Sequence, residues 1–401
     1  MANGSLVSQE LIAAKRKFTE IYGDSKGIHA TLTPASLILL GDHTHYNDGV
    51  LVSVALNKYT AVVVRKRHDT LINIADAQTK VINTFHLENI DQYSQQDKLS
   101  LGIIKLLYQE RYLSKGCDLL IISDIPECLG LGKTSSHQVG LAYALKKAFN
   151  IAIECGSLMN LIRKNDLSVI GKISNFAHLY TTRFEKENRL FFIDLRTMEY
   201  KTILPKSDNF ELIIFDTGEK IINPQNTCNE RIEECDVGVK GLRLYIWGIK
   251  NLRDVELEFL LKHYHMLPRK IFNRVLYNVK ERTRSESAIK VLKKNHLSDF
   301  GKYITESHWS LAQDYELSCN TCDFIVEKSA NYPGVFGSKM ISCTPKRGTF
   351  HLVSRDSSNR YVEHIKESFN RKFNTGLDVY SFHISKGIKD IPSNEIEKIL
   401  C

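Results

Sequence analysis

The densest cluster of side chains able to do chemistry is Asp42-His43-Thr44-His45-Tyr46-Asn47-Asp48, bounded by Gly41 and Gly49. Carboxylates, imidazoles, a phenol and an amide at this spacing can bind the hydroxyls of a small polar ligand, and an imidazole can exchange a proton near neutral pH. The flanks are apolar: residues 37–40 before it, and residues 50–55, with β-branched side chains, after it. Both runs have the length of buried strands, so the polar stretch reads as a tight loop on a rigid scaffold, where binding residues concentrate. Asp42, His43, His45, Tyr46 and Asn47 are the candidate ligand-binding residues. The alternative for Asp42 and His43 is hydrogen bonding within the turn, since buried polar groups need partners whatever the function.

A second chemical stretch runs from Pro126 to Ser136, between a strand-like run over residues 117–125 and a helical pattern with Leu141, Leu145 and Ala148 on one face. The first amides of a helix lack partners and lie at the positive end of its dipole, so a glycine turn entering a helix suits phosphate. Gly130, Gly132, Lys133, Thr134, Ser135 and Ser136 are the candidate nucleotide- or phosphate-binding residues, with Lys133 placed to offset charge. Gly132-Lys133-Thr134 also matches the end of the G-x-x-x-x-G-K-[ST] motif, but the first glycine of that motif falls on Glu127. A glycine turn that only caps a core helix is the remaining alternative.

Nine cysteines, odd in number and scattered, fit reduced thiols better than a disulfide framework. Cys319 and Cys322 form a lone C-x-x-C with no second pair, so no metal site is expected. A net charge of +8 is mild at this length and no block of five like charges occurs, so neither a nucleic-acid nor a membrane partner is expected. The basic balance reads as a solvated surface, or as attraction for an anionic ligand or partner. The start of the chain has no apolar stretch after a basic segment, and no apolar run of ~18 residues occurs, so a cytoplasmic location is expected.

The elements that position these stretches follow from length and periodicity. A chain of 401 residues with 43% hydrophobic content can fill two domains with ordinary cores. Residues 8–22 place Leu11, Ala14, Phe18 and Ile21 on one face of a lead-in helix, and residues 71–85 read as a hairpin. Leu99, Ile103, Leu106, Leu107 and Tyr108 form the stripe of a core helix. A buried strand over residues 210–217 opens the second half.

Residues 34–60, PASLILLGDHTHYNDGVLVSVALNKYT, resemble the sugar-recognition signature of the galactokinases, in the GHMP small-molecule kinase superfamily, through Asp42, His43, Thr44, Tyr46, Asn47, Gly49, Ala55, Tyr59 and Thr60. Pro126, Gly130 and Leu131 resemble the superfamily's P-x-G-x-G-L-S-S-S-A loop. FFIDLRTMEY (residues 191–200), ESHWSLAQDYELSCNTCDFIV (306–326) and NYPGVFGSKM (331–340) resemble three further family stretches, and the likeness runs from Phe18 to Ile391. It implies an α/β (α+β) two-domain GHMP kinase fold. An N-terminal ribosomal-S5-like domain, residues 1–205, would carry the sugar signature and phosphate loop, and a C-terminal GHMP domain, residues 206–401, would form the other wall of a ligand cleft. It also implies ATP-dependent phosphate transfer to a hexose, with Mg-ATP as the donor.

The departures from the family fall on its chemistry. Its arginine falls on Ser36, its sugar-binding aspartate on His45, the first glycine of its phosphate loop on Cys128, its catalytic aspartate on Ser174 and a sugar-contacting tyrosine on Cys228. Its nucleotide-closing glycine loop becomes residues 341–348, with Cys343, Thr344 and Pro345, and replacements that resist positive φ predict another shape there. No carboxylate occurs between Asp166 and Glu185, and a serine is no base near neutral pH without a partner. The reading is a pseudokinase, with altered catalytic positions Ser36 and Ser174, that serves as a sensor or regulatory protein for a sugar, a nucleotide or a protein partner. The alternative is an active sugar-1-kinase in which His45 or Asp166 has taken the base role.

Overall fold

The structure is a computed structural model that describes residues 2–90, 97–171, 176–184, 188–205 and 209–391. Its first half runs α1 (Ala2–Tyr22), β1 (Ile28–Leu40), β2 (Val50–Lys66), β3 (Leu71–Ala75), β4 (Ile82–His86), α2 (Lys98–Gln109), β5 (Cys117–Ser123), α3 (Lys133–Ala148), α4 (Cys155–Asn165), α5 (Phe176–Phe184), β6 (Leu190–Asp194) and β7 (Tyr200–Ile203). The second runs β8 (Phe210–Lys220), α6 (Pro224–Leu242), α7 (Leu257–Lys262), α8 (Arg269–Lys293), α9 (Leu297–Gln313), α10 (Asn320–Ser329), β9 (Val335–Ile341), β10 (Lys346–Ser354), α11 (Ser358–Phe373), β11 (Asp378–Phe382) and β12 (Lys389–Ile391). One sheet has the order β12-β1-β2-β5-β3-β4, with β6 added to β2 and β7 to β6, and the other has the order β11-β8-β10-β9. The architecture is mixed α/β, as expected.

The β1–β2 hairpin joins the two sheets. Its first part is covered on both faces although Ile28, Ala30 and Leu32 alternate with His29, Thr31 and Thr33, and the apolar runs without alternation lie nearer the turn, at residues 37–40 and 50–52. On one side α1 lays Leu11, Ala14 and Phe18 on Ile28, Ala30, Leu32 and Val63. On the other side α3 approaches closely at Gly140, where a Cβ would meet Thr33 Oγ1 at 2.7 Å. Past a register shift at Pro34/Ala35, the rest of the hairpin turns its Leu37, Leu39, Val50 and Val52 to Leu212, Ile214, Phe300 and Phe350 of the second half. The polar turn between the strands is thereby delivered to the junction of the two sheets. The lead-in helix, the hairpin at β3–β4 and the strand from Phe210 stand where periodicity predicts them. Among the described residues, no helix is long and apolar enough to cross a membrane.

Candidate functional site

Gly41 ends β1 with φ +87°, and its amide donates to Glu281 Oε1 on α8 at 2.8 Å. A Cβ on Gly41 would lie 2.1 Å from the carbonyl oxygen of Val50, so this position takes only glycine. The turn then closes on itself. The amide and hydroxyl of Thr44 donate to Gly41 O at 3.1 and 2.7 Å, and the amides of Asn47 and Gly49 donate to Thr44 O, each at 2.9 Å.

The side chains of the turn reach across to the second half. The Ser342 hydroxyl donates to the Asp42 carboxylate, His43 Nε2 lies 2.9 Å from Ser342 Oγ, and the Tyr277 hydroxyl donates to Asp42 O at 2.8 Å. Tyr46 hydrogen-bonds Tyr315 hydroxyl to hydroxyl and lies 3.5 Å from His43 Nδ1. Asn47 spends both ends of its amide, donating to Asn278 Oδ1 at 3.1 Å and accepting from the Leu252 amide at 3.4 Å. His43 and Asn47 are buried, whereas Asp42, His45 and Tyr46 are half-buried. His45 packs edge-on against Tyr46, with ring centroids 4.8 Å apart.

Beneath the turn lies a buried charge cluster that sequence reasoning missed. Glu281 accepts from Gly41 and from the Ser307 hydroxyl at 2.7 Å, pairs with Arg284, and faces Lys339 Nζ at 3.7 Å. Burial alone would raise its pKa, but Lys339 and Arg284 outweigh that and hold it below the usual carboxylate range. Burial opposes ionisation of Asp42 as well, and His43, Lys339 and the Ser342 hydroxyl more than offset it, holding that carboxyl at about 2. A carboxyl depressed in the folded state contributes stability that is present above its unfolded pKa and lost as pH falls through the folded one. The contribution of Asp42, roughly 2 kcal/mol at 1.36 kcal/mol per unit, is therefore expected to vanish between pH 4 and pH 2. Urea unfolding of the wild type and Asp42→Asn across that window checks this, and a pH-independent gap between them would contradict it.

The glycine turn before α3 is the stretch that the sequence offers as a phosphate loop. Gly130 and Gly132 take φ of +68° and +65°, and no side chain caps the helix that starts at Lys133. The side chains only partly match the expectation. Thr134 is exposed, but Ser135 is buried and the Ser136 hydroxyl donates into the sheet to Thr33 O at 2.8 Å. Lys133 is engaged by Glu127 at 2.6 Å. Ser136 is thus part of the packing of α3 on β1, because the strand lies directly under the first helical turn.

Residues 342–345, between β9 and β10, press against both stretches. Ser342 holds Asp42 and His43, the Lys346 amide donates to Cys128 O at 3.1 Å, and a Cβ on Gly130 would meet Thr344 Cγ2 at 2.6 Å. Cys128 and Cys343 adopt φ of +66° and +53°, at a cost on the order of 1–3 kcal/mol each, and Cys343 thereby takes on the backbone that the replacements in residues 341–348 were expected to resist.

Ser36, the position of the family's arginine, is buried on β1 with its hydroxyl 2.9 Å from His178 Nδ1 on α5. Burial pushes the His178 ring down to about 4, so this pair is neutral at pH 7. Ser174 lies outside the described residues. Asp166 is buried and accepts from Gln138 Nε2 at 2.5 Å, and Gln138 also bonds Asn165. This places Asp166 in the packing between α3 and α4, which corrects its candidacy as a relocated base.

The reduced-thiol expectation is also corrected. Cys228 on α6 and Cys343 form a disulfide, with Cα atoms 6.2 Å apart. Residues 115 apart in sequence carry no spacing signal, and only the closing of the fold brings them together. Cys319 and Cys322 are free, and among the described residues no cluster of His, Cys, Asp or Glu is arranged to hold a metal. A cavity of about 350 Å³ opens beside the start of α3, lined by Thr60, Ile121, Ile122, Ser123, Lys133 and His137 among others. The sequence could not show it, because its walls come from β2, the β3–β4 turn, β5 and α3.

Residues 16–66 match the model of the galactokinase galactose-binding signature, and residues 98–178 match that of the GHMP kinases N terminal domain. A galactokinase of Roseiflexus sp. is 25% identical over 384 residues, covering 95% of this chain and 97% of that protein. A galactokinase of Fusobacterium nucleatum is 27% identical over 376 residues, covering 92% and 96%. The crystal structure of Lactococcus lactis galactokinase complexed with galactose superposes with a TM-score of 0.88 at 23% identity, over 95% of this chain and 100% of that one. The crystal structure of Methanococcus jannaschii mevalonate kinase superposes with a TM-score of 0.64 at 17% identity, over 90% of this chain and 100% of that one.

Proposed function

We propose that this divergent member of the galactokinase family, within the GHMP kinase superfamily, is a ligand-binding protein of the cleft between its two sheets that does not transfer phosphate. The observation that carries the reading is the neutral Ser36–His178 pair where the family's arginine would stand. Phosphoryl transfer depends on positioned charge around the transferring group, and loss of one such donor costs ~10² to 10³ in rate. The catalytic aspartate is replaced by Ser174 in the sequence, and no carboxylate follows before Glu185.

The residues fit the donor Mg-ATP in part. The uncapped start of α3 would face its phosphates, and the apolar walls of the adjoining cavity, Ile121 and Ile122, suit a nucleobase. Lys133 is already paired with Glu127. Asp42 and His45 are the residues of the turn best placed to meet a sugar hydroxyl, since Asn47 is consumed by the packing. The most direct product of such a site is a sensor or regulatory protein whose bound state is read by a partner.

A second reading, an active galactokinase-type sugar kinase with His45 as base, is favoured by the relatives. They carry the name galactokinase over nearly the whole chain, and on that ground they support transfer better than they support its loss. One experiment separates the two readings: thermal shift with Mg-ATP and with a panel of hexoses, and ³¹P detection of hexose phosphate in the same samples. Stabilisation without hexose phosphate is expected. Hexose phosphate above the no-enzyme background, lost in His45→Ala, would replace the first reading by the second.

A further inference from the structure

Cys228 lies near the start of α6, and Cys343 lies in the β9–β10 turn that touches both candidate subsites. That turn meets Asp42 and His43 through Ser342, and the phosphate loop through Thr344 and the Lys346 amide. We propose that Cys228 and Cys343 are a thiol–disulfide switch: oxidised, the pair fastens this turn to α6 and holds it down over the cleft, and reduced, it frees the turn to lift and admit ligand. The inference rests on the reading of the cleft as a ligand site.

Three observations distinguish a switch from a structural staple. Cys117, Cys128, Cys155, Cys235, Cys319 and Cys322 remain free thiols in the same chain, whereas chains stapled by disulfides pair their cysteines. Both bridged residues are half-buried, within reach of a small thiol. Cys343 also sits at φ +53°, a backbone that favours glycine, so the side chain kept there is one whose distinguishing asset is its sulfur. Once the bridge is cut, hydrogen bonds at Ser342, at Lys346 and from the Ile221 amide to Pro345 O are what secure the turn.

The exchange balances. One thiolate of a dithiol reductant attacks one bridge sulfur, the S–S bond breaks, and the other cysteine leaves as a thiolate and takes up a proton. The reductant's second thiol then attacks the mixed disulfide, frees the second cysteine as a thiol and closes the reductant into a cyclic disulfide. Two electrons pass from the dithiol to the protein. Glutathione disulfide reverses the sequence.

The test uses the full chain oxidised with glutathione disulfide, the same chain reduced with dithiothreitol, and Cys228→Ser. After free thiols are alkylated, the oxidised sample is expected to yield a linked peptide pair containing Cys228 and Cys343. Amide exchange at Lys346 is expected to be at least about tenfold faster in the reduced and Cys228→Ser proteins, with the amides of β5 unchanged. Calorimetry with Mg-ATP and with galactose is expected to show at least about tenfold tighter binding to the reduced form. No linked peptide, equal exchange in all three proteins, or equal affinity of the two redox forms would each overturn the switch. Loosened exchange with binding of neither ligand by either form leaves the switch in place and overturns the ligand reading instead. Should Cys228→Ser fail to fold, reduction of the wild type answers the same question.

Discussion

Glu281→Ala is expected to destabilise the protein by about 3–5 kcal/mol, the cost of removing one partner from a buried ion cluster. The side chain is fully buried, and its loss takes from Arg284 and Lys339 the carboxylate they share, leaving Arg284 with Glu306 at 4.0 Å. It also strips the Gly41 amide and the Ser307 hydroxyl of their acceptor. Glu281→Gln keeps an acceptor but not the charge, and is expected to lose most of the same stability. Combining Glu281→Ala with Lys339→Met removes one of the orphaned cations, so the double variant is expected to fall short of the sum of the two single losses. Denaturant unfolding of the four variants, Glu281→Ala, Glu281→Gln, Lys339→Met and the double, checks the ordering. A loss below about 1 kcal/mol for Glu281→Ala would mean that water reaches the cluster and screens it.

Gly41→Ala is expected to cost about 2–6 kcal/mol and to displace the polar turn. Two penalties add: a non-glycine residue at positive φ, on the order of 1–3 kcal/mol, and overpacking against backbone that cannot rotate away, about 1–3 kcal/mol. The overlap is severe, with the new Cβ 2.1 Å from Val50 O and 2.8 Å from Leu51 Cα. Relief requires β1 and β2 to part at the turn, which pulls the Gly41 amide from Glu281 and moves Asp42 away from Ser342. Faster exchange at the amides of Asn47 and Gly49, which close the turn, should accompany the loss. Gly156→Ala on α4 is the control, since an added Cβ there meets nothing within 4 Å, and it is expected to be neutral or slightly stabilising. Similar losses for both glycines would contradict the steric argument.

These two effects arise at one place for one reason. The polar turn is fastened to the second half of the chain by hydrogen bonds to Glu281, Tyr277, Asn278, Tyr315 and Ser342, so residue types suited to a ligand serve there as fasteners. Asn47 shows it most plainly: its type and position resemble a sugar contact, while its amide is satisfied by Asn278 and Leu252. Asp42 retains both possibilities, because its half-buried carboxylate accepts from Ser342 yet still has surface toward solvent.

Much of the fold was legible in the sequence because its signals are local. Apolar runs on either side of a polar knot specify two strands and a turn, since a strand buried on both faces has no polar alternation to keep. A glycine turn entering an amphipathic pattern likewise specifies a helix with an open start, and α3 begins at Lys133 as that pattern demands. The replacements at Ser36, His45, Cys128, Ser174 and Cys228 are also matters of sequence alone.

Tertiary structure alone decided what those positions do. Which way Ser136 points depends on β1 lying under α3, and the burial of Asp166 depends on where α4 packs. The partners of Ser36, Asp42 and Gly41 are His178, Ser342 and Glu281, each more than a hundred residues further along the chain. Cys228 reaches Cys343 across a comparable gap. Periodicity and turn chemistry act over a few residues and so determine elements, whereas hydrogen bonds and ion pairs are chosen by whichever groups the closed fold excludes from water together.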